Sequence, residues 1–244
     1  MYLADAFFGG YTMLKNSFKN LTKFELMLWL GSVIIVTVSF LLSSAKDYLT
    51  LIASLIGVTA LIFVAKGYVL GQVLTVVFAV FYGIISFYFH YYGEMITYLC
   101  MTAPIAAMSV VSWLHHPYEN TPEVEVSRLS KGKVALMLIL TAVVTVIFYF
   151  VLMALGNANL FFSTISIATS FMASYLTFLR SPYYGLGYAA NDVVLIVLWI
   201  LAAMENLAYF PMIICFILFL INDSYGFINW RQIKKRQMKN KRAA

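Results

Sequence analysis

Asp192 and Asp223 stand inside long apolar runs, each next to an amide, Asn191 and Asn222. A carboxylate in such surroundings costs about 2.5–3.5 kcal/mol on insertion scales, so its presence points to work on an ion, a proton or a polar ligand. Near Asp223, the residues Asn222, Tyr225, Gly226 and Asn229 recur at i, i+3, i+4 and i+7, which is one face of a helix. Amides on that face would be unpaired against lipid, so it must turn toward the protein interior or a cavity. Gln72, Thr75, Ala79, Tyr82 and Ser86 make a similar stripe. Asp192 and Trp199 lie seven residues apart, about 10 Å along a helix at about 1.5 Å per residue. That span suits a charged or hydroxylated group at one end of a ligand and a ring at the other. The candidate site for a small polar solute is therefore Gln72, Thr75, Tyr82, Asn191, Asp192, Trp199, Asn222, Asp223, Tyr225 and Asn229. Polar residues between membrane helices also serve as packing contacts worth about 0.6 kcal/mol. That reading is applied to the stripe Ser163, Ser166, Ser170, Ser174 and Thr177, and Asp223 fits a structural hydrogen-bond acceptor as well as a ligand contact. Trp113 and Trp230, at helix ends, fit interfacial anchors or ligand contacts equally.

Catalytic signatures are missing from the chain. Gly185-Leu186-Gly187-Tyr188-Ala189-Ala190 matches a dinucleotide pattern but opens a membrane helix with no strand before it. There is no P-loop lysine motif, no His-Glu-x-x-His site and no helix with serial arginines; His90, His115 and His116 lack partners at metal spacing. Cys100 and Cys215 sit in apolar spans and read as packing residues. Neither an enzyme, a cofactor nor a metal is expected.

The elements that hold these residues follow from hydropathy. Hydrophobic residues make up 63% of the chain and charged ones 11%, and the mean hydropathy is +0.88. A surface of that composition cannot face water. A spanning helix needs about 20 mainly apolar residues, since lipid offers the backbone no hydrogen-bond partner. Eight such runs are predicted, at about 24–44, 48–65, 69–90, 95–114, 134–155, 160–179, 184–203 and 207–229. The fold class is an all-α integral membrane protein. Residues 1–23 read as an amphipathic lead-in, with Phe7, Phe8, Tyr11, Leu14 and Phe18 available to lipid and Lys15 and Lys19 to head groups. They do not read as a cleavable signal peptide. Residues 24–229 form the membrane domain and 231–244 a basic tail. The loop 115–133 is the one connection longer than a dozen residues.

Charge orients the bundle. Lys15, Lys19, Lys23, Lys66, Arg128, Lys131, Lys133, Arg180 and the seven basic residues of the tail lie on one side, and Lys46 alone lies opposite. By the positive-inside rule both termini face the cytoplasm. The net charge of +6 then needs no nucleic-acid partner, and anionic lipid suffices as the tail's contact.

Spans two to four and six to eight read as two copies of a three-helix unit. Tyr92 precedes Trp113 by 21 residues and Tyr209 precedes Trp230 by 21; Lys66 precedes Gly71 by five and Arg180 precedes Gly185 by five. Three is odd, so a linker, span five, is needed to make the copies parallel. The architecture is 1+3+1+3, with repeat one at about 46–114, the linker at about 134–155 and repeat two at about 160–230. Parallel repeats are a transporter architecture with the solute site at their interface.

The segments Ala190-Asn191-Asp192-Val193-Val194-Leu195-Ile196-Val197-Leu198-Trp199 and Ile221-Asn222-Asp223-Ser224-Tyr225-Gly226-Phe227-Ile228-Asn229-Trp230-Arg231 resemble the PnuC family of bacterial nicotinamide riboside transporters, and the stretch from Tyr92 through Pro104 to Trp113 is similar to the family's matching first-repeat helix. The resemblance covers about residues 46–236. It implies a 3+1+3 core related in architecture to the SWEET sugar transporters, facilitated diffusion of an unphosphorylated nucleoside, and trapping by a cytoplasmic nucleoside kinase. It further implies binding residues on spans three, seven and eight, with thiamine or deoxynucleosides as substrates of relatives. The first-repeat stretch around Phe78 is apolar, so no symmetric counterpart of Asn191-Asp192 is expected. A proton-coupled carrier using Asp192 or Asp223 is the competing class, and a homo-oligomer is compatible with either. The topology has a direct check. Cysteines introduced at Glu123 and Lys239 are expected to resist an impermeant thiol reagent in intact cells while one at Glu205 reacts; labelling of position 239 from outside would overturn the helix count.

Overall fold

The computed structural model describes residues 17–43, 48–88, 92–119, 121–157 and 159–243. Phe7, Phe8, Tyr11, Leu14 and Lys15 of the lead-in, with Lys46 and His90, lie outside the described residues. Among the described residues, eight helices are long and apolar enough to cross a membrane: α1 Lys23–Leu42, α2 Tyr48–Ala65, α3 Val69–Tyr88, α4 Gly93–Leu114, α5 Lys131–Ala154, α6 Leu160–Phe178, α7 Tyr184–Glu205 and α8 Phe210–Ala243. The expected all-helical class and span count are observed, and no strand occurs among the described residues. Helices α2–α3–α4 pack in sequence, as do α6–α7–α8; the last helix of each trio packs on the first helix of the other, α4 on α6 and α8 on α2. The linker α5 lies outside, with 11% of its most apolar stretch buried, and its remaining surface suits lipid.

The two trios meet through one repeated device. Helix α2 ends with Gly67 in the left-handed region (φ 70°), closing bonds from Gly67 N to Val64 O and Tyr68 N to Phe63 O. Helix α6 ends the same way at Arg180 (φ 53°), with Arg180 N to Thr177 O and Ser181 N to Leu176 O. This is the reversal that lets a helix end satisfy its last carbonyls. The equivalent of Arg180 is thus Gly67, one residue on from the Lys66 that sequence spacing selects. Trp230 of α8 then donates its indole N–H to Val64 O (2.8 Å), and Trp113 of α4 donates to Thr177 O (3.1 Å). Each tryptophan caps the opposite trio at the same place. The connecting loop closes the pattern, with Val124 N on Gly67 O and Ser127 N on Arg180 O.

Helix α8 runs for 34 residues, about 50 Å at about 1.5 Å per residue, against a hydrocarbon core of about 30 Å. The basic stretch set apart in the sequence as a tail is its continuation as far as Ala243. It docks on the loop 115–130. Gln237 accepts from Val126 N (2.9 Å) and donates to Val124 O (3.1 Å), Asn240 donates to Tyr118 Oη, and Arg236–Glu123 and Lys241–Glu125 pair.

Helix α1 is attached by polar contacts. Thr22 and Glu25 form a capping box, and Glu25, 1% exposed, also accepts from Lys66 Nζ (2.9 Å) and Tyr225 Oη (2.8 Å). Trp29 donates to Thr59, and Asn222 to Ser32. Sequence reading places two ionisable residues inside spans; Glu25 is a third. Its pairing accounts for its tolerance. Removing one partner of a buried pair costs about 3–5 kcal/mol, whereas an apolar replacement of both is often neutral. Lys66→Met is expected to lower the thermal midpoint in detergent sharply, and Glu25→Gln combined with Lys66→Met to recover most of the loss. Equal losses in both variants would remove the ion pair as the attachment.

Candidate functional site

Helix α4 departs from α-geometry at Tyr98–Thr102, a π-helical turn in which Ala103 N bonds Tyr98 O five residues back. Pro104, with no N–H to give, follows it. Such turns widen a helix locally and recur at functional sites. Here both ends of the turn, Tyr98 and Thr102, line a central cavity of about 70 Å³. Gln72, Thr75 and Phe78 of α3 face them, with Ser170 of α6, Tyr188, Asn191 and Asp192 of α7, and Phe216, Phe219 and Asp223 of α8. Helices α7 and α8 approach closely because position 185 is glycine; a Cβ there would stand 2.6 Å from Asp223 O and from Phe227 N. Asp192, two turns further along α7, lines the same cavity as Asp223.

Asp192 and Asp223 line the same cavity, and both are 3% exposed. Asp192 Oδ2 has no protein partner among the described residues. Asn191 Oδ1 accepts from Thr169 (2.8 Å) and Ser166 (3.3 Å), which fixes the amide and leaves Nδ2 without a described acceptor in the cavity wall. Five of the ten candidate residues are thus brought together: Gln72, Thr75, Asn191, Asp192 and Asp223.

The other five sit elsewhere. Asn222 donates to Ser32 and Leu218 O, Tyr225 to Glu25, and Asn229 to Ala65 O. Their face does turn into the protein, as the amide argument requires, but onto α1 and α2 instead of the cavity. Tyr82 lies against Tyr98, tilted by 53° with 4.5 Å between centroids. Trp199 lies against Phe216 and Tyr209 and lines a separate chamber of about 100 Å³ with Glu94, Asn157 and Ser163. A third chamber of about 30 Å³ lies between the two, sharing Tyr98, Ser170 and Asn191 with the central cavity and Glu94 and Asn157 with the other. Together they form a track of neighbouring chambers from the α4 and α7 ends remote from the basic tail to the carboxyl pair, with polar side chains set in mainly apolar walls.

Sequence reading puts Glu94 in a break between spans, where it looks solvated. It is instead part of the track, with Oε2 unpartnered among the described residues. The available signal is its spacing of four from Tyr98, which sets both on one helical face. The serine stripe of α6 also does more than pack, since Ser163, Ser166 and Ser170 line the chambers.

At the basic end the track is shut. Trp113, Trp230 and Tyr184 are 1%, 0% and 0% exposed, with Trp230 centroids 5.4 Å from Trp113 and 4.9 Å from Tyr184. Neither tryptophan is an interfacial anchor; both are inside. The central cavity is small beside the 300–1,000 Å³ of organic-ligand pockets, so a solute entering it must displace the Tyr98 and Phe78 side chains that narrow it.

Residues 47–232 match the family model described as nicotinamide mononucleotide transporter. The chain is similar to the nicotinamide riboside transporter PnuC of Neisseria mucosa, at 25% identity over 91% of this chain and 86% of that protein, and to that of Haemophilus influenzae, at 24% over 91% and 96%. The crystal structure of the vitamin B3 transporter PnuC superposes with a TM-score of 0.79 at 25% identity, covering 93% of this chain and 98% of that one.

Proposed function

The chain belongs to the nicotinamide mononucleotide transporter family, a family of membrane transporters and not of enzymes, and from that premise we propose that its own solute is the unphosphorylated riboside. The observation that carries this reading is the charge of the central cavity. Its lining holds Asp192 and Asp223 and no lysine, arginine or histidine. A mononucleotide would bring its phosphate against two carboxyl groups in a site shielded from water. Nicotinamide riboside brings a cationic ring and neutral hydroxyls. The ring meets the carboxyl pair and the faces of Phe78, Tyr98 and Tyr188, where cation–π contacts are worth about 0.5–2 kcal/mol each. Asn191 Nδ2 and Gln72 are the groups for hydroxyls and the carboxamide.

Movement is by facilitated diffusion, with the basic end of the bundle and both termini in the cytoplasm. A cytoplasmic nucleoside kinase that phosphorylates the riboside keeps it there, because the phosphorylated form no longer suits the acidic cavity. Purified protein in liposomes is expected to equilibrate nicotinamide riboside without concentrating it. Accumulation driven by a pH or sodium difference alone would replace diffusion by ion coupling.

The site is tested by Asp192→Asn, which keeps shape and removes the ability to carry charge. Loss of a close pairing between the carboxylate and the cationic ring, worth about 1.5 kcal/mol or more, corresponds to roughly tenfold or more weaker binding of nicotinamide riboside by calorimetry. An uncharged nucleoside analogue should be spared. Equal weakening of both ligands would mean that Asp192 only holds α7 against α8. A parallel thermal-shift screen with thiamine and deoxynucleosides separates substrates within the family.

A further inference from the structure

The largest cavity described here lies away from the carboxyl pair. It measures about 470 Å³, within the range of organic-ligand pockets, and sits at the basic end between the α8 extension, the loop 115–130 and the α6–α7 turn. Arg128, Arg180, Lys234, Lys241 and Arg242 line it, against the single carboxylate of Glu125. Glu125 is already paired with Lys241. Four cations therefore face one space without a counter-charge among its lining residues.

Arg180 shows that this is more than a basic surface. It occupies the left-handed turn that Gly67 fills in the other trio, a conformation that disfavours any residue with a Cβ. An arginine at that position is explained by its guanidinium. Nη1 donates to Ser112 Oγ (3.1 Å), which fixes the side chain, while Nε is buried with no partner among the described residues. Burial also pulls the Arg180 pKa below its ordinary value, an effect that Glu125 opposes. A fixed, incompletely satisfied guanidinium with four further basic side chains around it matches the geometry of phosphate recognition.

We propose that this cavity binds a soluble phosphate-bearing anion, a nucleotide or polyphosphate, and that the bound anion holds the basic end of the transporter closed. Lys234 and Arg242 are eight residues apart on α8, about 12 Å along its axis, so the cavity extends well beyond the depth of Arg180 at the helix end. A soluble anion of nucleotide length matches that extent. The elements it would bridge are those behind the Trp113–Trp230–Tyr184 cluster, which must separate for a solute to leave toward this end. The occupant is of the class that phosphorylation of a transported nucleoside produces. That last link rests on the proposed function; the site itself does not.

The test uses the full chain in neutral detergent, titrated with pyrophosphate and with adenosine monophosphate at constant ionic strength. The expected result is a saturable rise in thermal midpoint, with Arg180→Gln and Lys234→Gln each weakening the response at least tenfold. Arg231→Gln, outside the cavity, should leave it unchanged. Arg180→Gly relieves the left-handed strain and should fold normally while losing the response, which separates anion binding from a structural role. In vesicles of neutral phosphatidylcholine, pyrophosphate on the basic side should slow solute exchange, and more so in the parent than in Arg180→Gly. A response that matches chloride at equal ionic strength, or that survives Arg180→Gly, would overturn the site. A response confined to vesicles containing phosphatidylglycerol would assign the cavity to a lipid headgroup and overturn the soluble ligand. Binding is read without any transported solute, so failure of the riboside reading leaves it intact.

Discussion

A membrane helix that ends inside the protein leaves carbonyl groups that something other than water must satisfy, and in this chain two indoles do so. Val64 O and Thr177 O each accept from a left-handed turn residue of their own trio and from a tryptophan of the other. The constraint is thus met reciprocally, and neither trio can complete its first helix alone. It also places both indoles at the centre of the bundle, where they meet Tyr184 and close the track. Closure and helix termination are the same set of contacts. Opening a path toward the basic end at this layer would exchange those indole donors for water, at a net cost of about 0.5–1.5 kcal/mol for each bond.

Much of this was legible in the sequence. Eight apolar runs had to be helices because lipid leaves the backbone no alternative, and the linker argument needed only that three is odd. Asp192 and Asp223 were visible because a carboxylate has no neutral reason to be in a span. Other residues misled for one reason, namely that a polar helical face announces that it is buried but not against what. The Asn222, Tyr225 and Asn229 face met α1 and α2, and no periodicity in α8 encodes the position of α1. Glu25 and Glu94 stood close enough to predicted span ends to look solvated. Trp113 and Trp230 were hidden by a base rate, since tryptophan near a helix end is usually at an interface. The one-residue shift between Lys66 and Gly67 as the partner of Arg180 required backbone dihedrals, which spacing does not carry.

The molecule separates its charges by depth. Carboxyl groups line the middle, at Asp192 and Asp223, and again at Glu94, while cations collect beyond the aromatic closure. The aromatic layer is the boundary between these two environments.

Because α8 passes unbroken from Asp223 through Trp230 to Gln237 and beyond, the two ends of the transporter are fixed in rotational phase. Each residue turns the helix by about 100°. One residue inserted between Trp230 and Gln237 would leave the indole on Val64 O yet swing Gln237 away from the loop strand that its amide brackets. Seven residues, nearly two whole turns, would restore the angle while lifting the contact by about 10 Å. From Trp230 to Lys241, where the helix meets the loop, length is therefore also angle.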